Sequence, residues 1–113
     1  MKDREEYNGT FYSANTHPEV RRILERVRQD GTRIRLHYGD TKTGKDWQDR
    51  YDVAGTVGRS MGPVKIPILL HNCNSIGGGG ILDDCIVRIR YANRKQGGDM
   101  YRHSQYHNEE ARQ

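Results

Sequence analysis

Apolar residues recur at Val20, Ile23, Leu24 and Val27, a spacing that lines one face of a helix with about 3.6 residues per turn. Arg21, Arg22, Glu25, Arg26 and Arg28 fill the positions between them, so the segment predicts an amphipathic helix with a wet, charged face. Thr16-His17-Pro18-Glu19 supplies its start, having the T-x-x-E spacing of a capping box with proline tolerated in the first turn. Gly31 supplies the stop. Directly afterwards the period falls to two. Ile34, Leu36 and Tyr38 alternate with Arg33, Arg35 and His37, which predicts a strand with one dry face and one cationic face.

Asp52 to Gly58 and Val64 to Leu70 are joined by the breaker-rich Arg59-Ser60-Met61-Gly62-Pro63 and predict a hairpin. Pro67 has no N–H to give a ladder, so the second strand is expected at a sheet edge or beside a bulge. Between residues 81 and 91, Cys85, Val87, Ile89 and Tyr91 alternate with Ile86, Arg88 and Arg90, again a half-buried strand, with the cysteine as a core filler. Asn93 to Asp99, containing Gly97-Gly98, reads as a turn into a short strand over Met100 to His103, and Tyr7 to Tyr12 adds a first strand. The fold class expected is α+β: one N-terminal amphipathic helix with a small five- to six-stranded antiparallel sheet or SH3-like barrel. The likeness to an SH3-like barrel rests on element order and brings no function with it.

A chain of 113 residues has room for one hydrophobic core, so residues 1–113 are expected to form a single domain with polar, flexible ends at about 1–6 and 104–113. Only 33% of the residues are apolar. Such a core is assembled economically, gives modest stability, and admits self-association as a homo-oligomer. The longest apolar run, Ile66 to Leu70, is broken by Pro67 and falls far short of the roughly 20 residues of a membrane span. The first residues, MKDREEYNG, lack the apolar stretch of a secretory signal, and Cys73 and Cys85 make one pair, more in keeping with reduced thiols than with a disulfide framework. A cytoplasmic location without membrane contact is the expectation.

Nineteen Lys and Arg against fifteen Asp and Glu leave a net charge of +4, a mild preference for acidic partners. Distribution sharpens it. Residues 85 to 102 hold Arg88, Arg90, Arg94, Lys95 and Arg102 against Asp99 alone. If the strands carrying Arg33, Arg35, Arg88 and Arg90 are neighbours, their outward arginines merge into one patch able to hold phosphates without reading bases, and exposed Trp47, Tyr101 or Tyr106 could stack on unpaired bases. A second anion-binding candidate combines Arg59, Ser60 and Lys65 with the glycine run that includes Gly78 and Gly79, where backbone N–H groups can form a concavity.

Reactive chemistry finds less support. Gly39-Asp40-Thr41-Lys42-Thr43-Gly44-Lys45 matches the phosphate-loop spacing, but Asp46 replaces the Ser or Thr that would hold magnesium, and a solvated hairpin loop is the simpler reading. His103 and His107 have helical metal-ligand spacing in a tail-like segment, with no C-x-x-C pair to complete a zinc site. Adjacent Asp83 and Asp84 point to opposite faces of any strand, with one free to cap the glycine loop, and Asp46, Asp49 and Asp52 lack a Lys or His partner at a telling distance. No catalytic residue, metal site or cofactor is therefore assigned.

One resemblance adds context. Gly58-Arg59-Ser60, Gly62, Lys65-x-Pro67-x-Leu69-Leu70, Gly77 to Gly80 and Ile81-Leu82-Asp83-x-Cys85-Ile86-Val87 together resemble a family of small, uncharacterised bacterial phage and mobile-element proteins, over about residues 33 to 91. The resemblance implies a bacterial or phage protein working in the cytoplasm and carries over no activity or site residues. Mobile elements often encode small, catalytically inert proteins that block host defences, so the expected function is a non-enzymatic binding module that binds and inhibits a host protein complex such as a defence system. The alternative is a nucleic-acid or nucleotide binding protein. In both, Arg33, Arg35, Arg59, Ser60, Lys65, Gly78, Gly79, Arg88 and Arg90 are the residues expected to touch the partner.

Overall fold

The computed structural model describes residues 4–7, 10–47, 53–58, 69–71, 79–80 and 83–107. Its single α-helix, α1, runs Pro18–Asp30 and ends at Gly31, whose φ of 71° is the left-handed conformation that glycine enters without a Cβ penalty. The start differs from the capping-box expectation. His17 is the N-cap, its Nδ1 accepting from the Glu19 N–H at 3.0 Å, while the Thr16 hydroxyl donates to Asp83 at 2.8 Å and Glu19 pairs forward with Arg22.

Strands follow in chain order: β1 Arg4–Tyr7, β2 Thr10–Ser13, β3 Arg33–Asp40, β4 Lys45–Asp46, β5 Val53–Gly58, β6 Leu69–His71, β7 Gly79–Gly80, β8 Ile86–Tyr91 and β9 Asp99–Arg102. β1 and β2 form a separate antiparallel hairpin, which places part of the expected loose N-terminus in paired structure. The remaining strands make one curled antiparallel sheet, a half-barrel in the order β7-β6-β5-β3-β8-β9, with β4 folded onto the end of β3. The α+β architecture is as expected.

Three details depart from the alternation. β6 pairs with β5 in the predicted hairpin but also carries β7 on its other side, so the described part of the Pro67 strand is interior to the sheet. Asp83–Cys85 is a turn of 3-10 helix, which leaves Cys85 half-exposed before the strand begins. Register also shifts between His37 and Tyr38 in β3. The extra residue falls on β8, where Val87 is left between the His37–Arg88 and Tyr38–Ile86 pairs, so Ile86 and Val87 are both buried, whereas His37 stays on the arginine side and is covered there by Asp46.

The helix lays Val20, Ile23, Leu24 and Val27 on the sheet face that bears Ile34, Leu36, Val57 and Ile89. Burying each such side chain contributes about 1.5–3 kcal/mol. Glu25, expected on the wet face, is instead 3% exposed, and its carboxylate accepts from the Tyr12 hydroxyl at 2.6 Å and from Arg28 at 2.8 Å. A buried carboxylate survives only with such partners. Among the described residues no helix is long and apolar enough to cross a membrane.

Candidate anion-binding face

Cross-strand register decides where the arginines stand. Arg35 lies opposite Arg90 and His37 opposite Arg88 in the β3–β8 ladder, and Arg88 in turn lies opposite Arg102 of β9. Leu36, opposite Ile89, and Ile34 occupy the alternate, core-facing positions. Arginines from three neighbouring strands therefore share one face. Like charges directly opposite each other cost roughly 0.2–1 kcal/mol per pair, so this arrangement is tolerated at some expense to stability.

Part of the face is tied down from beneath. Arg90 donates from Nε to His37 Nε2 at 2.9 Å. A guanidinium cannot accept, so that ring nitrogen carries the lone pair and the imidazole proton sits on Nδ1, 3.0 Å from Asp46 Oδ2. The same oxygen accepts from the Tyr106 hydroxyl at 2.6 Å, and Asp46 is wholly buried. Burial, and next the hydrogen bond to Asp46, push the Tyr106 phenol above its ordinary range. Above the ring lie two cations, Arg88 Cζ at 5.3 Å and Arg102 Cζ at 5.0 Å from its centroid. Arg88 is further held by Asp99, donating from Nε at 2.8 Å; burial alone would lower its pKa, but the bonds to Tyr106 and Asp99 carry it above the ordinary value.

These contacts need the 40–46 hairpin and the segment after β9 to meet. Gly44, at φ 78°, permits it, since a Cβ there would fall 2.5 Å from the Gln105 carbonyl oxygen. Asp46 N donates to His107 O at 2.9 Å and His107 N to Gly44 O at 3.0 Å. The phosphate-loop spacing is thus a hairpin turn packed on residues 103–107, with Asp40 accepting from the Lys42 N–H. Residues 104–107, expected to be loose, are part of that packing.

Beside the arginine ladder, the turn of Arg94–Gln96 and the glycines after it enclose a surface recess of about 510 Å³, lined by Arg88, Arg90, Tyr91, Arg94, Gly97, Gly98 and Asp99. Three guanidinium groups face a single carboxylate there. Compared with protein-family models, curated proteins and solved structures, the chain finds no match. Its chemistry has to be judged from these residues.

Of the expected contact residues, Arg35, Arg88 and Arg90 come together, and Arg33, exposed at the start of β3, stands one same-face position along from Arg35. Arg59, Ser60, Lys65 and Gly78 lie outside the described residues, as do Cys73, Asp49 and Asp52. Gly79 pairs with Leu70 in β7, the sheet edge opposite β9, and stands apart from the arginines of β3 and β8 in strand order. His37, expected on the wet face, is buried as the Arg90 support. Arg94, Gly97 and Gly98 were not foreseen as contact residues, although Arg94 sits in the basic stretch that composition had singled out.

Candidate reactive groups are otherwise engaged. Asp83, 3% exposed, accepts from the Ser13 N–H at 2.6 Å and from Thr16, fixing the turn into α1. His103 accepts at Nδ1 from the Gln105 N–H at 3.0 Å, so its Nε2 carries the proton donated to the Thr41 carbonyl at 2.8 Å. Both ring nitrogens are committed. The second hollow, about 550 Å³ between α1 and the sheet, includes this ring, His17, Arg21 and Asp84. Cys85 is pushed up to about 11 by burial and then by Asp84, which suits an unreactive thiol. Among the described residues no group of three or more His, Cys, Asp and Glu is placed to hold a metal ion. Trp47, 40% exposed beside β4, is the exposed large apolar side chain among the described residues.

Proposed function

We propose that this protein is a non-enzymatic binding module whose working surface is the arginine face of β3, β8 and β9, and that its ligand is the phosphate backbone of a nucleic acid. The observation that carries the reading is the register that sets Arg35 beside Arg90 and Arg88 beside Arg102. Arginine suits the role because its planar fork pairs with phosphate oxygens and stays charged at any physiological pH. Contacts of this kind position a strand without reading its bases, and the exposed Trp47 offers one stacking surface for an unpaired base. Inhibition of a host complex, the role expected of a small mobile-element protein, would then operate through the nucleic acid such a complex handles.

The test is fluorescence anisotropy of a labelled single-stranded oligonucleotide across a salt series. Engagement of four arginines predicts a slope of log affinity against log salt of about −3, since each neutralised phosphate on a single strand contributes about −0.7. Replacing Arg35 with glutamine should weaken every oligonucleotide to a similar degree and make the slope shallower by nearly one contact. No binding at about 50 mM salt, where the Debye length exceeds 10 Å, would end the proposal, and capture of an acidic protein in its place would assign the face to a protein partner.

A further inference from the structure

We infer that the recess between β8 and the Arg94–Asp99 turn is a pocket for a phosphomonoester, the terminal phosphate of a nucleic-acid strand, an inference that rests on the arginine-face reading and deepens it. Charge is the first argument. The lining carries three guanidinium groups, Arg88, Arg90 and Arg94, against one carboxylate, Asp99, an excess of two positive charges. A phosphodiester inside a chain bears one negative charge, whereas a phosphomonoester bears between one and a half and two near neutral pH. The monoester matches the excess, and one diester leaves half of it uncompensated.

Preorganisation is the second argument. Two of the three arginines are fixed through their inner nitrogen, Arg88 Nε by Asp99 at 2.8 Å and Arg90 Nε by His37 at 2.9 Å. Holding a guanidinium at Nε settles its plane before a ligand arrives, which lowers the ordering cost of binding. Arg94 is exposed and makes no side-chain hydrogen bond or ion pair among the described residues. It stands at the rim, where it can close on a bound anion.

Shape is the third. The recess, about 510 Å³, lies within the range of small-ligand sites and is large enough for one terminal nucleotide. Its far wall is glycine. A Cβ at Gly98 would meet no protein atom within 4 Å, so the backbone there borders open space that a ligand can enter. Gly97, by contrast, lies against the Tyr91 ring, where a Cβ would come within 2.8 Å of Cε2, and its φ of 149° favours glycine. Tyr91 also lines the recess.

The experiment compares the intact protein with single-stranded oligonucleotides identical except for a 5′-phosphate or a 5′-hydroxyl, and in separate arms with a nucleoside monophosphate and with inorganic phosphate as competitors. The 5′-phosphorylated strand should bind about tenfold more tightly, as one added pair of charge-assisted hydrogen bonds would give. Arg94→Ala should erase that preference while leaving the 5′-hydroxyl strand nearly unchanged. Gly98→Val, whose Cβ has no neighbour within 4 Å outside the adjoining residues, narrows the recess and should do the same with the thermal midpoint preserved. Competition by the nucleoside monophosphate beyond that by inorganic phosphate identifies a terminal nucleotide as the occupant, and equal competition identifies the phosphate alone; both support the pocket. Equal, salt-sensitive binding of the two strands would overturn the pocket and leave the arginine face standing. Binding of the monophosphate without either strand would uphold the pocket and end the nucleic-acid reading, and no binding by any probe would end both.

Discussion

Replacing Asp46 with asparagine tests whether the buried carboxylate is what anchors the arginine face. Asp46 has no exposure, and its Oδ2 receives the Tyr106 hydroxyl at 2.6 Å and the His37 Nδ1–H at 3.0 Å. Hydrogen bonds to a charged partner contribute roughly 1.5–3 kcal/mol each and neutral ones roughly half of that. Removing the charge while keeping the shape should therefore cost about 2–3 kcal/mol over the two bonds, with an asparagine N–H added to a pocket that already holds two donors. In a chain of this size the loss corresponds to a midpoint lower by roughly 8–12 °C. Urea and thermal denaturation followed by circular dichroism would measure it. Combining Asp46→Asn with Tyr106→Phe closes a double-mutant cycle, and a coupling of about 1 kcal/mol or more is expected for a pair in direct contact. An unchanged midpoint, or strict additivity within about 0.3 kcal/mol, would refute the view that Asp46 holds these elements together.

Other outcomes follow from the same contacts. Gly44→Ala should lower stability by well over the roughly 1 kcal/mol of a left-handed alanine, because its Cβ would strike the Gln105 backbone, and faster hydrogen exchange over residues 103–107 would locate the damage. Alkaline pH should destabilise the fold: burial, and then hydrogen bonds to Glu25 and Asp46, raise the Tyr12 and Tyr106 phenols above the ordinary tyrosine value of about 10, so the folded state keeps protons that the unfolded chain has released. Stability is then fully present below about pH 10 and is lost as pH climbs toward the folded values, and Tyr12→Phe should flatten that limb in a pH series of urea midpoints. In a Cys73→Ser variant, Cys85 should alkylate about a hundredfold more slowly at pH 8 than an ordinary thiol, its pKa being about 11 against 9.0; equal rates would show that it is not shielded.

Much of the scaffold was legible from local periodicity. The stripe Val20, Ile23, Leu24, Val27 and the alternation through Ile34 and Leu36 describe the two sides of the core, and the spacing of Arg88 and Arg90 correctly places both on one side of a strand. What stayed hidden depends on partners distant in the chain. Nothing near Asp46 announces that it is buried, because its hydroxyl donor is Tyr106, sixty residues away. Glu25 looks solvated until Tyr12 reaches it. His37 keeps the arginine side that the alternation gives it, yet it is buried because Asp46 packs over it and Tyr106 packs on Asp46, contacts that no local residue pattern announces. The recess likewise needs a turn from one segment and arginines from another, a combination that spacing along a sequence does not encode.

β3 stands at the centre of the sheet, yet the strand that covers one of its edges, β8, begins at Ile86, and Tyr106 comes later still. During synthesis on the ribosome the β8 edge of this strand therefore stays unpaired until residues 86 to 91 have emerged. Loop closures of this span slow the search for the native pairing and leave a sticky strand open to neighbours on the polysome. Arg33 and Arg35 alternate with the apolar residues of that strand, and like charges brought opposite each other on two such strands would repel, which disfavours edge-to-edge pairing of nascent chains.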